Sequence, residues 1–478
     1  MRTAIINTKI GESRNVARIW IEGAHLQHGG LVIGTKYAIT HKSDNRVELT
    51  PANDDQNDQT FTVSKREKYG VIKPLMEIRT DLLKSIFNGI HKVRVAIKNG
   101  KILITANFIE LRVRERLTRF REAMKKKAAL KVCSLFHGAG ILDRSVHSGM
   151  MRNGVNSYVQ VGVELEAKYL DASIRNNKEI WREDSIAICS DVRDINFQSG
   201  VPQCDVLCAG IPCIGASRSG ISRNKLAFAE EHDTAGSLFF DTLEAIKVFN
   251  PFSVIIENVE DYLKTASMAV IRSVLQSLGY QLHETVANGT DFGTLENRKR
   301  MILVAVTIGA PAEFSFEGMV SVKQKEARIA DILEGVPLDS PRYKAYEYLA
   351  EKEIRDKAAK KGFMRQLLTG EESYCGVIAK GYAKSRSTEP FFVNPLFPHL
   401  SRLFTKLEHC RIKGIPPHVI DGLSETTAHE VLGQSVCGPV FDALGAHLAL
   451  YYKRCSASWE SSNEEGWAQP APLQLKAA

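Results

Sequence analysis

Residues 129–310 predict an α/β, Rossmann-like fold on a mostly parallel sheet, and three observations carry that expectation. Apolar runs of strand length alternate with longer amphipathic runs of helical period. The first apolar run is followed at once by a glycine-rich turn, His137-Gly138-Ala139-Gly140. The later runs end on acidic or reactive residues: Glu164, Asp191, Cys213 and Glu257. In an open α/β sheet the carboxyl ends of the strands form the ligand crevice, so such residues in succession describe one site.

Taken in order, residues 131–136 form the first strand, and the glycines after it let a ligand approach the backbone. Residues 158–163 form the second. An acid at its end, Glu164, can hold the two ribose hydroxyls of a nucleoside cofactor. Residues 185–189 form the third, ending at Asp191. Residues 205–209 are the fourth, stopped by Gly210 and by Pro212, whose φ is fixed. Cys213 therefore sits on a stiff loop at a strand end. Such a thiol is a nucleophile when its pKa is lowered or a base is near, and otherwise a buried structural cysteine. A helix over 238–249 precedes a strand over 252–256, which ends at Glu257-Asn258-Val259, and a helix over 262–278 follows. Chemistry alone reaches a nucleoside-type cofactor, a cysteine nucleophile and a carboxylic acid.

The whole chain has 478 residues, with 63 Lys and Arg against 55 Asp and Glu, a net +8 that suits a polyanionic partner. Its 9 cysteines contain no Cys-x-x-Cys pair, so neither a disulfide framework nor a metal site is expected. The absence of a signal-peptide pattern or a membrane-length apolar run sets the expectation of a cytoplasmic protein without a membrane partner.

Residues 1–128 read as a separate β-rich domain with a basic linker. Strands are expected over 16–21 and 31–33, and the Asn99-Gly100 pair predicts a hairpin joining 93–97 to 102–104. This pattern resembles the small swapped-hairpin barrels of AbrB-like DNA-binding proteins, with a docking module as the other reading. Arg112, Arg114, Arg116, Arg119, Arg121 and Lys125 to Lys127 mark a basic helix. It either meets phosphates or is a solvated linker. Residues 345–361 form a charged helix, residues 401–455 return to the catalytic domain with a helix over 440–452, and the polar residues 456–478 are expected to be disordered.

In this order the motifs resemble the DNA cytosine-C5 methyltransferase family. Leu135-Phe136-His137-Gly138-Ala139-Gly140 is similar to its cofactor loop, Pro212-Cys213 to its catalytic loop, and Glu257-Asn258-Val259 to its Glu-Asn-Val motif. Glu296-Asn297-Arg298-Lys299-Arg300 is similar to Gln-x-Arg-x-Arg, and Gly433-Gln434-Ser435-Val436 to the closing Gly-Asn-Ser-Val. The set departs from the family at Ser134, Ile141, Ile211, Ile214, Glu296 and Gln434. The resemblance implies an S-adenosyl-L-methionine-dependent methyltransferase fold over 129–310 and an inserted target-recognition domain over 311–400. Duplex DNA is the implied partner; a monomer is expected, and the motifs leave open whether the chain acts alone or beside a cognate restriction endonuclease.

It implies that Cys213 attacks C6 of a flipped-out cytosine while Glu257 holds the ring, Arg300 meets O2 and Arg298 supports the loop. Phe136, Gly138, Gly140, Glu164, Asp191, Val192, Leu238 and Gln434 would bind the cofactor. Ser217, Lys380, Lys384 and Arg386 would bind DNA. A tRNA methyltransferase on the same motifs and a catalytically dead DNA-binding regulator are the rival readings. The regulator would be expected to have lost Cys213, Glu257 or the arginines, all of which are present.

Overall fold

The computed structural model describes residues 2–52, 59–197, 200–212, 230, 236–360 and 364–461. Cys213, Ile214 and Ser217 lie outside these residues. Contacts divide the chain into two compact units, one built on Met1–Thr118 and one on Arg119–Ser461.

The first unit is an antiparallel sheet of β1 (Thr3–Ser13), β2 (Val16–Glu22), β3 (Lys36–Ser43), β4 (Arg46–Pro51), β5 (Thr60–Thr62), β6 (Ser64–Lys68), β7 (Val71–Arg79), β8 (Lys92–Lys98) and β9 (Lys101–Ala106). Two one-turn helices, α1 (Ala24–His28) and α2 (Leu82–Ile86), accompany it. The strand order is β5-β3-β4-β9-β8-β1-β2-β7-β6. Period-two alternation sends Val93, Val95, Ile97, Ile102 and Ile104 into the core. Asn99 and Gly100, at φ 50° and 76°, make the tight turn between β8 and β9. Nine strands make a larger sheet than the small swapped-hairpin pattern, and its two edge strands, β5 and β6, are joined in the chain through Val63 alone. One expectation is corrected. Residues 31–33 form no strand. Only Leu31 faces the core, whereas Val32 and Ile33 are exposed, so the run has no strand period.

The basic segment is a helix, α3 (Phe108–Lys125); Arg116 and Arg119 are engaged within the protein, whereas Arg121 and Lys125 to Lys127 are exposed. Arg116 is 1% exposed. The Arg119 guanidinium donates to the carbonyls of Cys204 and Asn250 at 2.6 Å each and pairs with Asp205. Phe120 stacks on Phe252 with centroids 3.8 Å apart. The stems of basic residues carry this packing, which charge counting along the chain does not reveal.

The second unit holds β10 (Leu130–Leu135), α4 (Ile141–Arg152), β11 (Ser157–Glu164), α5 (Ala167–Asn176), β12 (Ile186–Cys189), β13 (Val206–Gly210), α6 (Leu238–Phe249), β14 (Ser253–Val259), α7 (Ala266–Ser277), β15 (Tyr280–Asn288) and β16 (Lys299–Thr307). They form a seven-stranded sheet in the order β12-β11-β10-β13-β14-β16-β15. The first five strands are parallel, and β16 runs antiparallel to both neighbours. The central strands are covered on both faces and are continuously apolar for that reason. Strand order reverses between β10 and β13, which opens a crevice at their carboxyl ends. β14 ends on Glu257-Asn258-Val259 as the sequence reads, whereas the helix expected over 262–278 breaks at Thr265, whose hydroxyl accepts from Met268 N and caps α7.

Beyond residue 310 lie α8 (Glu347–Ala358) and a three-stranded sheet of β17 (Gln366–Leu368), β18 (Pro390–Val393) and β19 (Ser401–Arg402). Their small core includes Ile329, Ile378 and Tyr382 together with Leu295, Phe404 and Ile412 from the flanking chain. Then come α9 (Lys406–Lys413), α10 (Glu425–Gln434) and α11 (Gly438–Ser461). α11 lies tight on α4 because glycines meet there: a Cβ on Gly445 would fall 2.0 Å from Val146 O. This helix continues to Ser461, past the expected start of disorder at 456, with Cys455 buried and Trp459 against Phe120. Among the described residues no helix is long and apolar enough to cross a membrane.

Candidate active site

Every described strand-end residue singled out in the sequence reaches the same sheet edge. β10 to β14 present their carboxyl ends there. Because β16 is antiparallel, it presents its amino end, with Arg298 and Arg300. Register fixes the neighbours: Gly210 on β13 lies opposite Glu257 on β14, and Val259 lies opposite Arg300. The Glu257 carboxylate pairs with the Arg300 guanidinium at 2.9 Å. Asn258, buried between strands, donates from Nδ2 to Ile211 O at 3.2 Å and so holds the start of the loop that leads to Cys213. Cys208 on β13 is excluded as a nucleophile, since complete burial pushes its thiol well above the usual range.

The other half of the edge is a backbone cradle. Phe136, Gly138 and Gly140 have φ of 57°, 59° and 73°, so the chain after β10 coils in a conformation that glycine favours. Glu164 accepts from Gly138 N at 2.7 Å and from Glu166 N at 3.0 Å, which fixes its carboxylate beside the cradle. Val192 and Leu238 belong to one apolar cluster below it. Gln434 reaches the cradle from the far end of the chain, its Nε2 3.9 Å from where a Gly138 Cβ would stand. Asp191 at the end of β12 is already engaged: Arg193 bonds both carboxylate oxygens and holds the carboxyl below its ordinary range. Sequence reading missed Arg193, although its position two residues on was a usable signal. The arrangement fits a nucleoside-containing cofactor: a carboxylate fixed at one strand end, an apolar floor and glycine backbone without side-chain obstruction.

Two departures from the family pattern are compensated. Ser134 donates to Asp143 at 2.7 Å, so α4 supplies the acid that the strand lacks, and the His137 ring bridges Ser134 and Ser173 at 2.9 and 2.7 Å. Glu296 is fully buried and meets Lys413 Nζ at 2.7 Å, Ile378 N at 2.8 Å and Arg298 at 3.6 Å. Burial alone would raise its pKa, yet Lys413 and Arg298 hold the carboxyl below its ordinary range. Arg298 also lies 3.4 Å from Gly433 O. Arg298 and Glu296 thus tie the start of β16 to Ile378, to Lys413 on α9 and to Gly433, whereas Arg300 alone of the two arginines meets Glu257.

Lys380, Lys384 and Arg386 are exposed around the 3-10 turn Tyr382–Lys384, whose tyrosine is fully buried and donates to Pro390 O. Lys380 lies over the Tyr169 ring at 5.1 Å. Beneath the turn, Glu389 is buried and accepts from Ala379 N, and burial pushes its pKa up to about 7. A carboxyl whose pKa is raised on folding stabilises the fold fully below its unfolded value and loses that contribution as pH rises through 7. Glu389→Gln is therefore expected to flatten the fall in stability between about pH 4.5 and 7, a difference of about 3 kcal/mol at full titration. Urea unfolding across that range checks it; parallel curves for both proteins would refute it.

Comparison with known proteins gives a consistent result. A family model described as C-5 cytosine-specific DNA methylase matches residues 130–449. The chain is 29% identical over 269 residues to the Type II methyltransferase M.NlaX of Neisseria lactamica, covering 55% of this chain and 80% of that one. It is 29% identical over 260 residues to the Type II methyltransferase M1.ScrFI of Lactococcus lactis subsp. cremoris, covering 52% and 64%. The S. pombe Dnmt2 methyltransferase structure superposes with a TM-score of 0.52 at 19% identity, over 68% of this chain and 99% of that one, which establishes an α/β methyltransferase fold.

Proposed function

The chain belongs to the C-5 cytosine-specific DNA methylase family, and from that premise we propose that it methylates C5 of a flipped-out cytosine in duplex DNA through a covalent bond from Cys213 to C6. The observation that carries this reading is the Glu257–Arg300 pair, set opposite Gly210 three residues before Cys213. C5 of cytosine is too weakly nucleophilic to take a methyl group unaided. Addition of the Cys213 thiolate to C6 pushes ring electrons to C5. Glu257 holds N3 and the exocyclic amine, Arg300 holds O2 and orients Glu257, and Arg298 anchors the loop to Gly433. S-adenosyl-L-methionine supplies an electrophilic methyl group. Loss of the C5 proton then lets the thiolate leave and restores the ring. C6 is shielded in a stacked duplex, so the base must leave the helix.

Phe136, Gly138 and Gly140 cradle the cofactor, Glu164 holds its ribose, Asp191 and Val192 meet its adenine, and Leu238 and Gln434 close the site. Residues 311–400 are the inserted target-recognition region, in which Lys380, Lys384 and Arg386 meet DNA, and Ser217 contacts the strand near the base. We propose a monomer in solution with a cognate endonuclease as its cellular counterpart. Incubation with methyl-labelled cofactor and either duplex DNA or tRNA tests the substrate, and bisulfite mapping tests the position. Label entering tRNA alone would overturn the reading.

Loss of the Glu164 carboxylate removes two charge-assisted hydrogen bonds to a ribose. Glu164→Ala is expected to weaken cofactor binding by at least about tenfold, since such bonds contribute about 1.5–3 kcal/mol. Calorimetric titration with an unchanged affinity would sink the assignment.

A further inference from the structure

Residues 64–73 of the first unit are exposed without a break. They form β6 and the first part of β7, paired through Lys68↔Val71, Glu67↔Ile72 and Arg66↔Lys73, and β7 meets β2 only from Leu75 onward. A two-stranded ribbon thus extends past the core at the end of the sheet. Its shank carries Lys65, Arg66, Lys68 and Lys73 with Glu67 as the single acid. At its tip, Tyr69 and Gly70 have φ of 52° and 73°. This two-residue turn ordinarily takes Asn-Gly or Asp-Gly, and a bulky aromatic in left-handed backbone is strained. Tyr69 is nevertheless 92% exposed, with the Lys68 ammonium 5.3 Å from its ring. Val71 and Ile72 beside it are about half exposed. Lysines alone would serve to guard a sheet edge; a strained, exposed aromatic does not.

Charge identifies the occupant. Residues 1–118 hold 20 Lys and Arg against 12 Asp and Glu, a net +8 that equals the net charge of the whole chain, and the remaining residues balance at 43 of each. All of the positive excess lies in residues 1–118, the segment that bears the ribbon. A major groove admits a two-stranded β-ribbon. We propose that the ribbon 64–73 is a second DNA-binding element that enters the major groove, with Tyr69 leading against the bases and Lys65, Lys68 and Lys73 on flanking phosphates. This rests on duplex DNA being the substrate, and it adds affinity separate from the chemistry at the sheet edge.

The test uses the full chain, a labelled duplex and anisotropy at several salt concentrations. Lys65→Ala/Lys68→Ala/Lys73→Ala leaves Arg66 with Glu22 and Trp20. It is expected to weaken binding at least about tenfold and to reduce the salt slope by about 3, with turnover at saturating DNA unchanged. Tyr69→Asn gives the turn its preferred residue, so melting temperature should hold or rise while DNA affinity falls about tenfold. A purely structural tyrosine predicts the reverse. If both variants bind as wild type does, or change oligomeric state without changing DNA affinity, the proposal is overturned. Failure of the parent reading is distinct: wild type would then transfer no methyl group to duplex DNA, whatever the ribbon variants bind.

Discussion

Cys213→Ser is expected to abolish methyl transfer, by at least about a thousandfold or about 4 kcal/mol of barrier, while duplex affinity stays close to that of wild type. The effect is large because the serine hydroxyl lacks a usable anion near neutral pH, and no other thiol among the described residues of this sheet edge replaces the thiolate. Cys208, the nearest cysteine in sequence among the described residues, is fully buried and its thiol pKa is raised well above the usual range. Positioning by Glu257 and Arg300 survives the change, so the variant separates binding from chemistry. Single-turnover transfer of labelled methyl groups measures the rate, and anisotropy measures the affinity. Residual turnover within tenfold of wild type would rule out the covalent route. Parallel loss of DNA affinity would show instead that the loop had collapsed.

The residues at this edge were legible because local pattern announces them. Glu164 follows a period-two apolar run, and Glu257 and Gly210 each end or extend a continuously apolar one, so strand-end placement follows from hydrophobicity alone. That Gly210 lies opposite Glu257 does not follow, because register is a property of paired strands. Contacts between distant segments were illegible for the same reason. Arg119 looks like a phosphate ligand in a basic run, yet it clamps carbonyls 85 and 131 residues away. Residues 31–33 look like a strand because three apolar side chains stand together, and only their burial reveals that one of them faces inward. The helix through 456–461 was hidden by polar composition, since the buried Cys455 and the Trp459 contact with Phe120 hold its last turns.

Glu296→Gln is expected to destabilise the second unit by about 3–5 kcal/mol, even though glutamine is the residue the family pattern prefers there. The reason is Lys413, 117 residues away, which is fully buried with its ammonium on the Glu296 carboxylate. Glutamine would leave that ammonium and the Arg298 guanidinium buried without a counter-charge. An amide oxygen can accept one hydrogen bond but cannot offset the desolvation of two cations. Removal of both ends of the pair should behave differently. Glu296→Gln with Lys413→Met replaces a buried ion pair by a neutral amide and an apolar chain of similar length, and is expected to recover most of the lost stability. Methyl transfer should follow the same order, because Glu296 also accepts from Ile378 N and lies beside Arg298, which joins the β16 motif to Gly433. Urea unfolding of the two single variants and the double variant gives the coupling energy. A Glu296→Gln loss below about 1 kcal/mol, or a double variant less stable than either single one, would mean that Lys413 finds another partner or sheds its proton instead.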